Sequence, residues 1–227
     1  MSEKFSETRK FFWRDLEFIA DYIKKGDRIL DYGCGNGRLL EILNDKEVDP
    51  HTKKSHLGSS NNLSPSLCKK HFGVGVNYTG VDISGKLIVL AKQKYKGKNI
   101  KFQKISSQDS LPLSDNYFNV VISIAVFHHF PEEYAEKMAK ELYRILKPEG
   151  KIIVTAWNLE QERFRKFIKK GSKDIIIPFK DNDGKIFNRY HRIYAKKDLG
   201  EIFSKAGFKA VKIRIVNGRN ILLIGKK

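Results

Sequence analysis

The chain has 227 residues, of which 41% are hydrophobic, and this suits one sizeable domain. Its 44 lysines and arginines against 26 acidic residues give a formal net charge of +18, which favours polyanionic partners, although solvated surface lysines alone would give the same total. No apolar run approaches the roughly 20 residues of a membrane span, residues 1–10 lack a secretory leader, and two cysteines cannot form a disulfide framework. We therefore expect a single cytoplasmic domain over residues 1–227.

Apolar periodicity predicts the elements in chain order. A helix is predicted over residues 11–22, ahead of a buried strand at residues 28–31 and a helix at residues 39–43. Further apolar runs predict strands at residues 78–83, 100–105, 120–126, 151–156, 210–216 and 220–225. Helical patterns at residues 86–95 and 132–146 lie between strands, and Pro131 with two glutamates favours the start of the second.

Strands that alternate with helices in this way predict an α/β fold with a seven-stranded, mostly parallel sheet and helices on both faces. Asn217-Gly218 joins the last two strands, and this dipeptide accommodates positive φ at both central positions of a tight hairpin. One edge strand of the sheet is therefore expected to be antiparallel.

Two segments interrupt the alternation. Residues 44–77 contain a Gly-Ser-Ser-Asn-Asn run and little periodic apolar content, so we interpret them as a flexible insertion. Residues 158–197 combine a basic, helix-like stretch with an Ile-Ile-Ile-Pro-Phe run, and we interpret them as a substrate-recognition insertion. Four candidate metal ligands in the first segment match no established zinc spacing, so no metal site is predicted; they are His51, His56, Cys68 and His71.

A glycine-rich turn directly follows the first strand and reads Asp31-Tyr32-Gly33-Cys34-Gly35-Asn36-Gly37. Glycines let a ligand approach the backbone without meeting a Cβ atom, although an ordinary glycine turn would look the same in isolation. The spacing differs from the Gly-X-Gly-X-X-Gly of dinucleotide sites, which favours a cofactor other than NAD. Asp31 would attract a cationic cofactor group and repel a pyrophosphate, and Asp82 at the end of the next strand can accept both ribose hydroxyls.

From Asp27 onward the chain resembles the class I S-adenosylmethionine-dependent methyltransferases, which have a Rossmann-like fold. The resemblance rests on the glycine turn, on Gly80-Val81-Asp82-Ile83-Ser84 and on Lys147-Pro148-Glu149-Gly150, the counterpart of the family's turn before the fifth strand. It implies S-adenosyl-L-methionine as the cofactor. It assigns Gly33, Gly35 and Gly37 to the methionine portion and Asp82 to the ribose, with Gln108 or Asp109 beside the adenine. The other candidate cofactor-binding residues are Asp31, Ile83 and Ile124. The family's usual adenine-contacting aspartate falls on Ser107, so that contact is weaker here or comes from Asp109.

Five segments carry a closer resemblance to the wobble-uridine tRNA carboxymethyl methyltransferases. They are residues 122–129, 141–146, 156–161, 175–179 and 189–194. This resemblance implies methyl esterification of a carboxymethyl group at C5 of the anticodon wobble uridine, with the tRNA anticodon loop as partner and, as in eukaryotic relatives, a small activating subunit. The sequence departs from the pattern at Tyr190-His191-Arg192, where Tyr-Tyr-His is expected, and in residues 44–77, which have no counterpart.

The implied reaction makes modest chemical demands, because a carboxylate is ionised at pH 7 and attacks a methyl sulfonium without a general base. Positioning should dominate, since aligning the reacting atoms contributes on the order of 7 to 11 kcal/mol in the best intramolecular models. We assign Arg189 and Arg192 to holding the carboxylate or nearby phosphates, through one carboxylate oxygen while the other attacks. His128 is the third catalytic candidate, because it follows the fourth strand at the edge where parallel sheets bind ligands.

Four residues are candidates for substrate binding, each with a structural alternative: His129, Trp157, Tyr190 and Tyr194. The three aromatic side chains could stack on an extruded anticodon base, as single-stranded RNA recognition commonly requires, or pack in the core. The histidine could contact the substrate, cap the following helix or be buried against a backbone group.

Two other classes of function stay open. The cofactor half of this fold serves many substrates, so the chain also suits a small-molecule methyltransferase acting on a quinone or another metabolite, which its basicity argues against. A non-catalytic binding subunit that keeps the fold as a scaffold is the other alternative. The intact Asp31, Asp82 and glycine turn argue against that second class.

Overall fold

The structure, a computed structural model, describes residues 14–43, 75–97, 99–106, 110–180 and 184–227. Within these residues the helices are the 3₁₀ helices Arg14–Tyr22, Phe127–His129 and Glu162–Phe167, and the α-helices α1 (Leu40–Leu43), α2 (Gly85–Lys94), α3 (Glu132–Ile145) and α4 (Lys196–Lys205). The strands are β1 (Arg28–Tyr32), β2 (Asn77–Asp82), β3 (Ile100–Lys104), β4 (Phe118–Ile124), β5 (Leu146–Trp157), β6 (Asp174–Lys180), β7 (Ile186–Arg192), β8 (Lys209–Val216) and β9 (Asn220–Lys226).

The main sheet has seven strands in the order β3-β2-β1-β4-β5-β9-β8. Strands β1 to β5 run parallel, β9 pairs antiparallel with β5, and β8 pairs antiparallel with β9 at the outside. Asn217 and Gly218 turn between β8 and β9 with φ of +46° and +66°, as their sequence predicts. The predicted Rossmann-like, mostly parallel sheet with an antiparallel strand at this edge is therefore confirmed.

Each side of the main sheet carries its own buried core, because neighbouring residues of a strand face opposite sides. Leu30 packs in one core with the apolar faces of α3 and α4, including Met138 and Phe203. Ile29 packs in the other core with the 3₁₀ helix before β1, with α1 and with α2, including Leu16 and Ile88. Helices therefore cover both faces, as predicted.

The segment at residues 158–197 contains two strands that the sequence analysis did not predict. β6 and β7 pair antiparallel along their whole length and form a separate two-stranded sheet. Three consecutive isoleucines followed by Pro178 obscure the period of two that identifies a strand. One face of this hairpin packs with Leu159 and Phe164 in a small core of its own. The predicted helix-like stretch contains the 3₁₀ helix Glu162–Phe167.

Several predicted boundaries differ from the structure; for example, β4 covers Phe118–Ile124 rather than residues 120–126. β5 begins at Leu146 rather than at residue 151, because a bulge within the strand takes up residues 147–150. Glu149 in this bulge has φ of +61°, and the pairing of β5 with β4 shifts register there. The predicted insertion at 44–77 overlaps β2, which begins at Asn77, and residues 44–74 lie outside the described residues. Among the helices that are described, none is long and apolar enough to cross a bilayer.

Candidate functional site

A cavity of about 240 Å³ opens where β1, β2 and β4 end. Open parallel sheets bind ligands at the carboxyl ends of their strands, at the point where strand order reverses, and β1 and β4 flank that point here. The predicted site residues that line the cavity are Gly33, Gly35, Asp82, Ile83, Ile124 and His129. Gln108 and Asp109, expected beside an adenine, lie outside the described residues, as do Ser107 and the four candidate metal ligands of the first insertion.

The glycine turn passes so close to the end of β4 that a side chain would not fit. Gly33 has φ of +75°, and a Cβ there would lie 2.3 Å from Val126 Cγ2. A Cβ at Gly35, with φ of +56°, would meet no atom within 4 Å, so this glycine leaves its space to the cavity. Gly37 does not line the cavity and packs against the rings of Phe102 and Tyr95.

Asp82 reaches the cavity wall with both carboxylate oxygens held by backbone donors. The Gly35 N–H donates to Oδ2 at 2.9 Å and the Ser84 N–H donates to Oδ1 at 2.8 Å. Burial raises the pKa of Asp82, and these two hydrogen bonds oppose that rise. Each oxygen keeps a second lone pair, so the carboxylate can accept both hydroxyls of a ribose.

Asp31 lies beneath the turn and does not line the cavity. Its side chain is buried, and the Tyr78 hydroxyl donates to Oδ2 at 2.6 Å. Burial raises the pKa of Asp31 to about 7, and the negative charge of Asp82 adds to this rise. The hydrogen bond from Tyr78 and the positive charge of Arg38 lower the pKa and so oppose the rise. A carboxyl group with this pKa gains a proton easily near neutral pH, and a cation in the cavity would favour its ionised form. Asp31 can therefore act on a ligand through its electric field without touching it.

Arg38 and Cys34 line the cavity, although the sequence analysis assigned neither of them to it. Burial lowers the pKa of Arg38, while the charges of Glu41 and Asp31 oppose the change. Its guanidinium can hold a ligand carboxylate, and its position directly after Gly37 was the signal available in the sequence. Cys34 is buried, and burial raises the pKa of its thiol, so the side chain stays protonated and unreactive.

The end of β4 forms the opposite wall of the cavity. Ala125 has φ of +58°, which is uncommon for a residue with a Cβ, and its N–H donates to the Thr155 carbonyl and hydroxyl oxygens at 3.0 Å each. The chain then enters the 3₁₀ helix Phe127–His129, which brings His129 to the cavity. His129 Nδ1 donates to the Tyr190 carbonyl oxygen at 3.1 Å, so the neutral ring carries its acceptor lone pair on Nε2. This hydrogen bond joins the cavity wall to β7.

His128 is fully buried beside His129 and does not line the cavity. Its Nδ1 accepts the Trp157 backbone N–H at 3.2 Å, which places the proton of the neutral ring on Nε2. The ring stacks on the Trp157 indole with centroids 4.7 Å apart. The structure therefore places the predicted catalytic histidine and the predicted stacking tryptophan behind the cavity wall, where they support His129.

His191 joins these rings to form a group of three imidazoles whose ligand atoms lie within 4.8 Å of one another. His191 is fully buried, its Nδ1 donates to the Arg189 carbonyl oxygen at 3.0 Å, and burial lowers its pKa to about 4. A metal bound by every Nε2 would require a proton on His128 Nδ1, which instead accepts the Trp157 N–H. The hydrogen bonds therefore favour a neutral ring stack at this position.

Arg192 is held by carboxylates of the protein itself. Its guanidinium donates to Asp174 at 2.9 Å and also pairs with Glu132 at the start of α3. The Tyr190 hydroxyl donates to the same Asp174 oxygen at 2.6 Å. The guanidinium assigned to the substrate thus already joins β6, β7 and α3, and the predicted stacking ring of Tyr190 is tied to this network.

Tyr194 and Arg189 also make their contacts within the protein. Tyr194 is buried, and its hydroxyl donates to the Phe130 carbonyl oxygen at 2.9 Å, so the ring is not exposed for stacking on a base. The Arg189 guanidinium lies 4.3 Å from the centroid of the Phe179 ring. Both residues fasten the β6–β7 hairpin, Tyr194 to the cavity wall and Arg189 within the hairpin.

The fold and the cavity define a Rossmann-like nucleotide-cofactor site that suits a cationic donor. Asp82 matches a ribose, Arg38 matches a carboxylate, and Ile83, which is 53% exposed at the rim, offers apolar surface to a base. Asp82, and Asp31 when it is ionised, supply negative charge that suits a sulfonium and opposes a pyrophosphate. The residues present therefore fit S-adenosylmethionine.

The chain matches the family described as Methyltransferase domain over residues 5–213 and belongs to that family. It is an S-adenosylmethionine-dependent methyltransferase, so the cofactor expected from the sequence is confirmed.

Three relatives indicate the range of functions in this family. A tRNA (carboxymethyluridine(34)-5-O)-methyltransferase from Arabidopsis thaliana is 31% identical over 159 residues, which cover 70% of this chain but only 31% of the relative, so the match spans about a third of that protein. The protein of the same name from Schizosaccharomyces pombe is 26% identical over 89% of this chain and 82% of its own length. A demethylmenaquinone methyltransferase from Lactobacillus johnsonii is 26% identical over 95% of this chain and 82% of its own length.

Solved structures share the fold at low sequence identity. An S-adenosylmethionine-dependent methyltransferase from Methanosarcina mazei has a TM-score of 0.66 at 20% identity, over 96% of this chain and 98% of that chain. A methyltransferase in complex with the Trm112 methyltransferase activator of Haloferax volcanii has a TM-score of 0.60 at 16% identity, over 99% of this chain and 92% of that chain.

Proposed function

We propose that this chain methylates the carboxylate of 5-carboxymethyluridine at the wobble position of a cytoplasmic tRNA and produces the methyl ester. The observation that carries the proposal is the β6–β7 hairpin seated on the cavity wall through the hydrogen bond between His129 and Tyr190. Residues 175–179 and 189–194 of this hairpin resemble the wobble-uridine enzymes, although the sequence departs from their pattern at Tyr190-His191-Arg192. The plant and yeast relatives bear that activity in their names. The net charge of +18 supports an RNA substrate.

The site has little proton chemistry to perform for this substrate. S-adenosylmethionine, when bound, would supply an activated methyl group, and an ionised carboxylate can accept it without losing a proton. Asp82 would hold the ribose, Arg38 would hold the cofactor carboxylate, and the open space at Gly35 would let the cofactor lie against the turn. His129 and the hairpin direct the acceptor and exclude water, and Arg192 positions the hairpin through Asp174 and Glu132.

A methyl-transfer assay with two matched tRNAs tests this proposal. Cofactor labelled in its methyl group is incubated with tRNA that carries 5-carboxymethyluridine and with the same tRNA carrying uridine. We expect label only in the first tRNA and release of that label as methanol in mild alkali, because a methyl ester hydrolyses where an N-methyl or C-methyl group does not. Label in neither tRNA would remove the proposal.

Two aspartate variants assign the cofactor role within the same assay. Asp82→Ala should lose cofactor affinity and keep RNA affinity, since its carboxylate faces the cavity between two backbone donors. Asp21→Ala, at an exposed position before β1, is the matched control and should keep both affinities. Equal effects of the two substitutions on cofactor affinity would contradict the assignment.

A second candidate function is methylation of a quinol. The bacterial quinone relative matches almost the whole chain, and Ile124, Val126 and Phe130 give the acceptor side of the cavity an apolar wall. A quinol acceptor must lose a proton, which the acceptor lone pair on His129 Nε2 could take. A demethylated quinol in place of tRNA in the same assay separates the two functions, because label would then enter the lipid extract only.

The partner that we propose besides tRNA is a small activating subunit. The archaeal neighbour with the same fold was solved with the Trm112 methyltransferase activator. Methyl transfer by the pure chain, measured alone and with an added subunit of this kind, tests the proposal. Increased transfer together with co-elution supports a partner, and equal transfer without co-elution contradicts it.

A further inference from the structure

The 3₁₀ helix Glu162–Phe167 presents three chemically different faces, because residues three apart in a 3₁₀ helix lie above one another. The three faces consist of Phe164 with Phe167, of Glu162 with Arg165, and of Arg163 with Lys166. The aromatic face packs on the small core beneath the β6–β7 hairpin. The second face neutralises itself in an ion pair of 2.8 Å. The third face is exposed and, among the described residues, has no carboxylate partner within 4.0 Å.

More exposed basic residues follow the helix along the chain. Residues 163–173 contain six lysines and arginines and no acidic residue. Lys173 pairs with Asp198 at 2.9 Å, whereas Lys169 and Lys170 are exposed and make no ion pair within the described part of the chain. Like charges held close together repel each other, so an anion with several charges would bind here more readily than a neutral ligand. We call Arg163, Lys166, Lys169 and Lys170 the basic ridge.

A continuous path of ring contacts connects Arg163, at the start of the basic ridge, to the cavity. The Arg163 guanidinium lies 4.6 Å from the centroid of the Phe164 ring, and that ring lies 6.2 Å from Trp157. Trp157 stacks on His128 at 4.7 Å, and His128 lies 4.3 Å from His129, which lines the cavity. The path ends on the acceptor side of the cavity, away from the Asp82 that receives the cofactor.

We propose that the basic ridge binds the sugar-phosphate backbone of the RNA whose nucleotide enters the cavity. The inference rests on the proposed function for the identity of that RNA as tRNA. Four cations without carboxylate partners suit on the order of four phosphates. Each phosphate contact makes the slope of log affinity against log salt concentration more negative by about 0.7 to 0.9. Arg165 and Lys173 contribute less, because each is already paired with an acid of the protein.

Two quadruple variants of equal charge test the proposal with the isolated 227-residue chain. The ridge variant carries Arg163→Gln, Lys166→Gln, Lys169→Gln and Lys170→Gln. The control variant carries Lys92→Gln, Lys96→Gln, Lys101→Gln and Lys104→Gln, which are exposed positions in and before β3 at the opposite edge of the sheet. Both lose four charges, so a general effect of net charge is the same in each.

The dissociation constant for tRNA is measured over a series of salt concentrations for each protein. We expect the salt slope of the ridge variant to be shallower than that of the control by about 3, which corresponds to four lost phosphate contacts. Cofactor affinity and thermal unfolding should stay equal in both variants. Protection of Lys166, Lys169 and Lys170 from acetylation when tRNA is bound gives a second readout. Equal slopes, or unchanged acetylation, would overturn the proposal.

The binding and methylation results separate this inference from the proposed function. Suppose that the unaltered chain methylates tRNA and that the ridge variant has the same KM and salt slope as the unaltered chain. The ridge proposal is then wrong and the proposed function stands. If no tRNA is methylated but RNA binding still depends on the ridge, the function is wrong and the ridge stands as an RNA surface. Binding to vesicles of anionic phosphatidylglycerol without binding to RNA overturns the ridge proposal in favour of a lipid surface.

Discussion

Replacing Asp31 by Asn removes a buried titratable group while keeping its size and an oxygen that can accept the Tyr78 hydroxyl. Burial raises the pKa of Asp31 from 3.8 to about 7, so the folded protein favours the protonated side chain. Stabilisation from such a group is complete below the unfolded pKa and is lost as pH rises through the folded pKa. At about 1.4 kcal/mol per pKa unit, the loss between pH 4 and pH 7 amounts to about 4 kcal/mol.

The free energy of unfolding, measured in urea without cofactor from pH 4 to pH 8, checks this expectation. Wild-type stability should fall relative to Asp31→Asn across pH 4 to 7, and the difference should become constant above that range. Tyr78→Phe removes the hydrogen bond that opposes the rise in pKa, so it should extend the loss to higher pH. Parallel curves for wild type and Asp31→Asn would refute the reasoning, because they would mean that Asp31 does not titrate differently in the folded protein.

Three further predictions concern the cofactor and the hairpin. Affinity for S-adenosylmethionine should rise between pH 6 and 8 more than affinity for its demethylated product, whose sulfur carries no charge, because the sulfonium favours ionised Asp31. Equal pH dependence of the two affinities in calorimetry would contradict this prediction. Gly33→Ala should lower cofactor affinity by about 10- to 100-fold, because it combines backbone strain with a clash against Val126. The control Gly26→Ala has φ of +86° but open space around the added Cβ, and should leave cofactor affinity unchanged. Arg192→Gln should destabilise the protein by about 1 kcal/mol and slow methyl transfer without changing cofactor affinity, and unchanged transfer would argue against a role in positioning the hairpin.

The cofactor half of the site could be predicted because its signals are local. The glycine turn and Asp82 each follow a strand directly, so placing the strands also places these residues at one edge of the sheet. Propensity could not show that Asp31 lies beneath the turn, because this depends on the burial of Tyr78 and on the path of the chain above it. Arg38 had the same local signal as the glycines and was identified only from the cavity.

The side of the cavity that we propose for the acceptor was less predictable because its contacts join distant parts of the chain. Arg192 looked available to a substrate until the fold brought Glu132 and Asp174 beside it. His128 stood at the correct end of the fourth strand, but a change of backbone direction at Ala125 points the neighbouring His129 into the cavity instead. Sequence patterns give the order of residues along a strand, and packing decides which of two adjacent side chains meets a ligand.

The attachment of the β6–β7 hairpin has a consequence for how such a protein can change over evolutionary time. The hairpin forms its own small sheet, and a limited set of side-chain contacts joins it to the cavity wall and to the start of α3: Tyr190 with His129, the buried His191 with His128 and His129, and Arg192 with Glu132. Mutations at the exposed positions of the hairpin, such as Ile176 and Ile186, can therefore accumulate without disturbing the parallel strands of the main sheet. Exchange of this one segment between related enzymes would be a direct route to a new acceptor.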